Sequence, residues 1–163
     1  MDRLYTPWRG SYVGGGGERP AGCIFCVKPG EGQDDLHLIL HRATHVYVLL
    51  NLYPYNSGHL MVVPYAHTGD LATLPSEVSA ELMAVTQQAV TALTEEYRPQ
   101  GFNVGMNLGA VAGGSVSAHL HLHVVPRWGG DTNFMPITGD TKVLPESLEQ
   151  TYRRLLPRFG GRP

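Results

Sequence analysis

Five short stretches of this chain carry apolar and polar residues in the two-residue rhythm of strands, and two longer ones repeat at the spacing of helices. Leu36 to His41, Val46 to Leu52, Leu60 to Pro64, Phe102 to Leu108 and His119 to Arg127 are rich in β-branched and apolar residues, and predict one mainly antiparallel sheet of about five strands. Between the third and fourth stretches, Val78, Leu82, Val85, Ala89 and Leu93 recur every three to four residues. That spacing places them along one side of a helix as a core stripe, with Ser76 after Pro75 as its N-cap and with Pro99 and Gly101 marking its end. A second helix is expected from Pro145 to Phe159, where Leu148, Tyr152, Leu155 and Phe159 repeat and Pro157 interrupts near the end. With no internal repeat and no second domain visible, the pattern predicts a single α+β domain.

Composition narrows the function. A chain of 163 residues can bury a sizeable core within one domain. Its formal net charge of −2 supplies no overall basic field for nucleic acid or an anionic membrane, so any phosphate recognition has to be local and a small ligand is favoured over a polymer. The apolar stretches are too short, and too often broken by Pro, Gly or His, to cross a bilayer, and the amino terminus lacks the apolar core of a signal peptide. The expected location is cytoplasmic. Residues 1–20 carry Trp8, Tyr12 and the run Gly14-Gly15-Gly16-Gly17 and read as a flexible arm, leaving residues 21–163 as the domain.

The chemistry concentrates in His119-Leu120-His121-Leu122-His123-Val124-Val125-Pro126. Side chains alternate across a strand, so the three histidines share one face while Leu120, Leu122 and Val124 point the other way, into a core. Neighbouring histidines then sit roughly 6.6 Å apart and the outer pair roughly 13 Å, too far along a straight strand for all three to meet on one metal ion. Half-buried structural histidines with satisfied hydrogen bonds are the bland alternative. Imidazole titrates near neutrality and serves as nucleophile or proton carrier, and a nucleophilic histidine tuned by its neighbours is the preferred reading.

A second constellation is Cys23-Ile24-Phe25-Cys26. By itself this pair is a zinc half-site, a redox pair or two packed thiols. A redox role wants the motif leading into a helix within a βαβ unit, whereas here it runs into Lys28, Pro29 and Gly30, so zinc is favoured.

The run of three histidines resembles the signature of the histidine triad (HIT) family of nucleotide hydrolases and transferases. The stretch Asn51-Leu52-Tyr53-Pro54-Tyr55-Asn56-Ser57-Gly58-His59-Leu60-Met61-Val62-Val63-Pro64 is similar to that family's nucleoside-binding strand pair, and Gly101 to Gly109 to its next strand. Pro126 to Phe134 is most similar to the bacterial diadenosine tetraphosphate (Ap4A) phosphorylase branch. The resemblance implies the HIT fold and a covalent nucleotidyl-histidine, with His121 as the nucleophile and His123 bonding the phosphate oxygens. It implies that Asn51 binds the ribose and Asn107 the phosphate chain. Several members complete a zinc site with a Pro-x-x-His histidine and the first triad histidine, which here are His67 and His119, joining Cys23 and Cys26. His59 matches a position near the nucleoside pocket, where packing serves equally well. His37, His41 and His45 are expected at the surface or as caps.

Phosphoryl-type transition states carry charge on equatorial oxygens, and Gly113-Gly114-Ser115 suits them through close backbone N–H groups and a hydroxyl. The alternative for the glycine pair is a plain turn. Ser115 stands where many HIT hydrolases carry glutamine, which suits the phosphorylase branch. The expected reaction is phosphorolysis of Ap4A to ADP and ATP, with inorganic phosphate as acceptor, and with Arg127 or Lys142 adding charge if the fold brings them near. A dinucleoside polyphosphate hydrolase, a nucleoside phosphoramidase and a non-catalytic nucleotide-binding module are the alternatives. Magnesium could accompany a polyphosphate substrate. A homodimer is expected from the family's habit and from an exposed sheet edge that needs cover.

Overall fold

The computed structural model describes residues 22–113, 116–139 and 143–161; the expected arm over residues 1–20, Gly114, Ser115 and Lys142 lie outside the described residues. In chain order the elements are α1 (Ile24–Gly30), α2 (Asp34–His37), β1 (Ile39–Arg42), β2 (Val46–Leu50), β3 (Leu60–Pro64), α3 (Ser76–Tyr97), β4 (Gly101–Gly105), β5 (Leu122–Arg127), α4 (Met135–Thr138) and α5 (Leu148–Leu155), with 3-10 turns at Ala110–Ala112 and Leu156–Phe159. Among the described residues one antiparallel sheet of five strands runs in the order β1-β2-β3-β5-β4. The fold is the expected α+β class. No helix of the described residues is long and apolar enough to cross a membrane.

β1, β2 and β3 send alternate residues to two different cores, and β5 joins one of them through Leu122 and Val124. Val46, Val48, Leu50, Leu60, Val62, Leu122 and Val124 join the stripe of α3, Val78, Leu82, Val85, Ala89 and Leu93, together with Leu155 and Phe159. Tyr47, Leu49, Met61 and Val63 point to the opposite face, where Phe25 of α1 and Ile39 pack against them. Every residue of β2 and β3 is therefore buried, because both faces are covered. Leu93 has no exposure at all, and truncating it to Ala would cost about 2–5 kcal/mol through lost contacts and a cavity.

Two local expectations need correcting. Ser76 is the first residue of α3 and not its cap: Pro75 holds the N-cap position with no side-chain cap bond, and its fixed φ of −53° starts the helix. The cap chemistry lies in α5, where Ser147 accepts from the Gln150 N–H and the Gln150 side chain accepts from the Ser147 N–H. The last predicted strand begins at Leu122, three residues late, since the Leu120 N–H donates to the Thr68 carbonyl (2.7 Å) instead of to a neighbouring strand. That contact needs Gly69, where an added Cβ would fall 2.5 Å from the Ser117 carbonyl oxygen.

Candidate active site and metal centre

The alternation in the histidine run survives although its first half lies outside the ladder. Leu122 and Val124 enter the α3 core, and His123 is paired in register with Met61 on the α1 face. His119 and His121 are 1 % and 6 % exposed, and Phe25 packs on both, its ring centroid 5.5 Å from that of His119 and 5.0 Å from that of His121. Burial pushes both imidazoles below their ordinary pKa, so they are neutral near pH 7. A neutral imidazole carries one N–H and one lone pair, and the hydrogen-bond partner decides which nitrogen has which.

At His119, Nε2 lies 2.7 Å from the Pro64 carbonyl, which only accepts, so Nε2 carries the hydrogen and Nδ1 keeps its lone pair. That lone pair faces sulfur: Cys23 Sγ is 3.3 Å and Cys26 Sγ 3.5 Å from Nδ1, and Cys26 Sγ is 3.4 Å from His67 Nδ1. The four ligand atoms lie within 4.8 Å of one another, the size of a tetrahedral shell, and a backbone carbonyl orienting a ligand histidine is the usual outer support of a metal site. Among the described residues no other group of three or more His, Cys, Asp or Glu converges in this way. The cysteine motif does open a helix, because Cys23 is the N-cap of α1 and its carbonyl accepts the N–H of Cys26 and Val27. The helix premise used against a redox pair is thus corrected, although the sheet it serves is antiparallel and forms no βαβ unit. The case for a metal rests instead on the two histidines that meet the sulfurs.

At His121 the arrangement is reversed. Nδ1 donates to the His119 carbonyl (2.8 Å), which leaves the lone pair on Nε2. His123 is set by a third device. The Tyr55 N–H donates to His59 Nδ1 (3.0 Å), so His59 carries its hydrogen on Nε2 and gives it to His123 Nδ1 (2.9 Å). Neutral His123 then holds its own hydrogen on Nε2. His59 is 1 % exposed, and burial, then the neighbouring His123 and His121, pushes its pKa down to about 3, so it stays an uncharged donor. Gly58 makes that position reachable: it turns the chain at φ +76°, where an added Cβ would meet Leu93 Cδ2 at 2.9 Å. The rings of His121 and His123 stand edge to face with centroids 4.9 Å apart. The site thus presents, side by side, a buried imidazole lone pair and an imidazole N–H.

Asn51 follows β2 beside this relay. Its Oδ1 accepts the Tyr53 N–H (3.0 Å), its Nδ2 lies 3.4 Å from His59 Nε2, and the residue is half-buried. Asn107 follows β4, also half-buried. Arg127 adds no charge to the histidines. It stands at the far end of β5, bonded through Nε to Asp131 (2.6 Å) and through Nη1 to Asn103 (2.6 Å), and it holds the Asp131 carboxyl well below the usual range. Asn56 Nδ2 joins Asp131 at 2.7 Å, so this group staples the turn after β5 to the loop before β3. His37 bonds Glu31 at the surface, and the His41 ring packs 5.9 Å from that of Phe159. The structural role of His59 had a sequence signal only in the Gly58-His59 pair, since its partner His123 is 64 residues away.

The HIT domain model matches residues 33–130. The chain is 46 % identical to the AP-4-A phosphorylase of Mycobacterium tuberculosis, over all of this chain and 87 % of that protein. It is 30 % identical to Protein hit of Bacillus subtilis, over 85 % of this chain and 95 % of the relative. Among solved structures it is similar to a Zn-bound histidine triad family protein from Mycobacterium smegmatis, with a TM-score of 0.69 and 29 % identity over 85 % of this chain and 94 % of that one.

Proposed function

Since the chain belongs to the HIT family, we propose that it cleaves Ap4A by phosphorolysis, passing an adenylyl group through His121 to inorganic phosphate. The observation that carries this reading is the Nδ1 hydrogen bond of His121 to the His119 carbonyl, which fixes an Nε2 lone pair inside a desolvated pocket. Attack of Nε2 on the terminal phosphorus forms a P–N bond and breaks the P–O bond to the rest of the chain, which leaves as ATP. His123 donates a hydrogen bond from Nε2 to the phosphate oxygens, the departing one among them, and keeps its proton, so that ATP leaves as the anion. Phosphate then attacks adenylyl-His121, giving ADP and restoring the lone pair. Asn51 and Asn107 flank this path as contacts to ribose and phosphate chain, with Gly114 and Ser115 as donors to phosphate oxygens. The 46 % identity to AP-4-A phosphorylase supports phosphate over water as acceptor.

Cys23, Cys26, His67 and His119 would hold zinc, which supplies a fixed tetrahedral tie between α1, the segment after β3 and the start of the histidine run. The set of two thiolates and two imidazoles and the zinc-bound relative both support it. The exposed edge of β4, with Val104 47 % exposed and Leu108 46 % exposed just beyond, supports a homodimer, and the charge supports a cytoplasmic enzyme of small nucleotides. Chromatography of the products made from Ap4A in saturating phosphate is the test. ADP with ATP is expected; AMP with ATP and no ADP would leave a hydrolase of the same family.

A further inference from the structure

The two sulfurs of the cysteine–histidine cluster are the only thiols of the chain, and they stand one turn apart at the start of α1. Cys23 is the N-cap, and its carbonyl accepts the Cys26 N–H (3.0 Å). Both sulfurs reach the same atom, His119 Nδ1, at 3.3 and 3.5 Å. A disulfide asks them to approach to about 2.05 Å, and the pair already lies within 4.8 Å. Cys26 is exposed, so a reagent in solution can reach it.

One residue joins this pair to His121. The Nδ1 lone pair of His119 faces the sulfurs, and its backbone carbonyl accepts the Nδ1 hydrogen of His121 (2.8 Å), the bond that fixes the Nε2 lone pair. Bonded to each other, the sulfurs carry neither charge nor hydrogen. They then cannot bind a cation, and they offer His119 Nδ1 no S–H; the ring keeps its Pro64 carbonyl bond on the other side and loses its tie on this one. α1 itself stays docked, because the Tyr47 hydroxyl donates to the Phe25 carbonyl (2.8 Å) and the Phe25 ring is buried in the core of that face. The change therefore falls on His119, and through its carbonyl on His121, while the fold persists.

We propose that Cys23 and Cys26 form a thiol–disulfide switch for His121: a small-molecule disulfide oxidises the pair, zinc is released, and the nucleophile loses its fixed orientation. The zinc and the loss of turnover rest on the readings above; the closure of the disulfide does not. One cysteine sulfur attacks a sulfur of the oxidant, forming a mixed disulfide and expelling one small thiolate. The second cysteine sulfur attacks the mixed disulfide, closing the Cys23–Cys26 bond and expelling the other thiolate. Two electrons pass from the cysteines to the small disulfide, the two thiolates carry away the negative charge, and the ion leaves as Zn²⁺.

The test treats full-length, zinc-loaded wild type with glutathione disulfide and then with dithiothreitol plus zinc. The oxidised protein is expected to be lighter by two hydrogens in intact mass, to show no reactive thiol, and to have released zinc to a chromophoric chelator in step with thiol loss, while thermal unfolding shows it still folded. Nitrogen NMR of the His121 ring should pass from a single form with its hydrogen on Nδ1 to a mixture of both tautomers. The kcat for Ap4A should fall about tenfold, the order of one hydrogen bond lost behind the nucleophile, with KM within about threefold and both readouts restored by reduction with zinc. If neither form cleaves Ap4A while the disulfide and the change of tautomer persist, nucleotidyl transfer falls and the switch stands. Glutathione left attached to Cys26, a pair that stays reduced with its zinc bound, or a closed disulfide with the His121 tautomer unchanged and kcat within about twofold of the reduced protein overturns the proposal.

Discussion

His119 and His123 lie on one short run, share one face of the sheet and are both half or more buried, yet they are held by opposite means. The His119 end is closed: a carbonyl fixes Nε2 and two sulfurs face Nδ1, so no position is left for a reactant. At the His123 end, His59 supplies a hydrogen to Nδ1. Between them, His121 leans on the closed end through the His119 carbonyl and aims its lone pair into the pocket. On the proposed assignment, the same residue type serves as ligand, nucleophile or donor according to which neighbour claims one of its nitrogens. Rigidity enters from the cysteine side and chemistry leaves from the other.

The largest expected effect comes from removing the residue that joins the two ends. His121→Asn keeps the surrounding side chains and the cysteine–histidine cluster, and is expected to lower kcat for Ap4A at least about 10³-fold, or about 4 kcal/mol of barrier, while Ap4A still binds. Retention of more than a tenth of wild-type kcat would show that no covalent step passes through it.

Next comes the closed end. Cys23→Ser or Cys26→Ser should destabilise the protein by about 3 kcal/mol or more in chemical unfolding, with zinc lost by elemental analysis, while kcat per folded molecule changes far less. Variants as stable as wild type, or wild type with under about a tenth of an equivalent of zinc, would remove the metal from that end.

The smallest effect sharpens the open end. His59 in the fold has a pKa of about 3, below the ordinary 6.5 that it regains on unfolding, so the unfolded chain takes up the proton first. The stability that neutral His59 provides is complete above pH 6.5 and is lost as pH falls from there toward 3. In chelator, to set the metal aside, urea unfolding of wild type should weaken on going from pH 7 to 4.5 by about 1–2 kcal/mol more than that of His59→Gln. Parallel pH profiles would mean that His59 is not held neutral.

Much of this was legible because it is periodic. The stripe from Val78 to Leu93 and the alternation of Leu122, His123 and Val124 follow from local geometry, and the structure places both as expected. What escaped depends on partners distant in sequence. The late start of β5 is caused by Thr68, 52 residues before Leu120, and no pattern within the run announces it. α1 escaped for another reason, as it is only seven residues long with Pro29 inside it. Whether Arg127 serves the histidines was open in the sequence, because its place depends on the fold; the structure ties it to Asp131, four residues away.

Five consecutive buried residues in each of β2 and β3 have a consequence for how the molecule breathes. Backbone amides there have no route to solvent short of complete unfolding, so native-state hydrogen exchange should find them the slowest in the protein. Residues 119–121, outside the ladder and tied through the Leu120 N–H to Thr68 in the segment after β3, should exchange faster. The proposed nucleophile is thus mounted on the seam between the most and the less persistent parts of the chain, where a side chain can keep its bearings while the backbone beside it opens and closes.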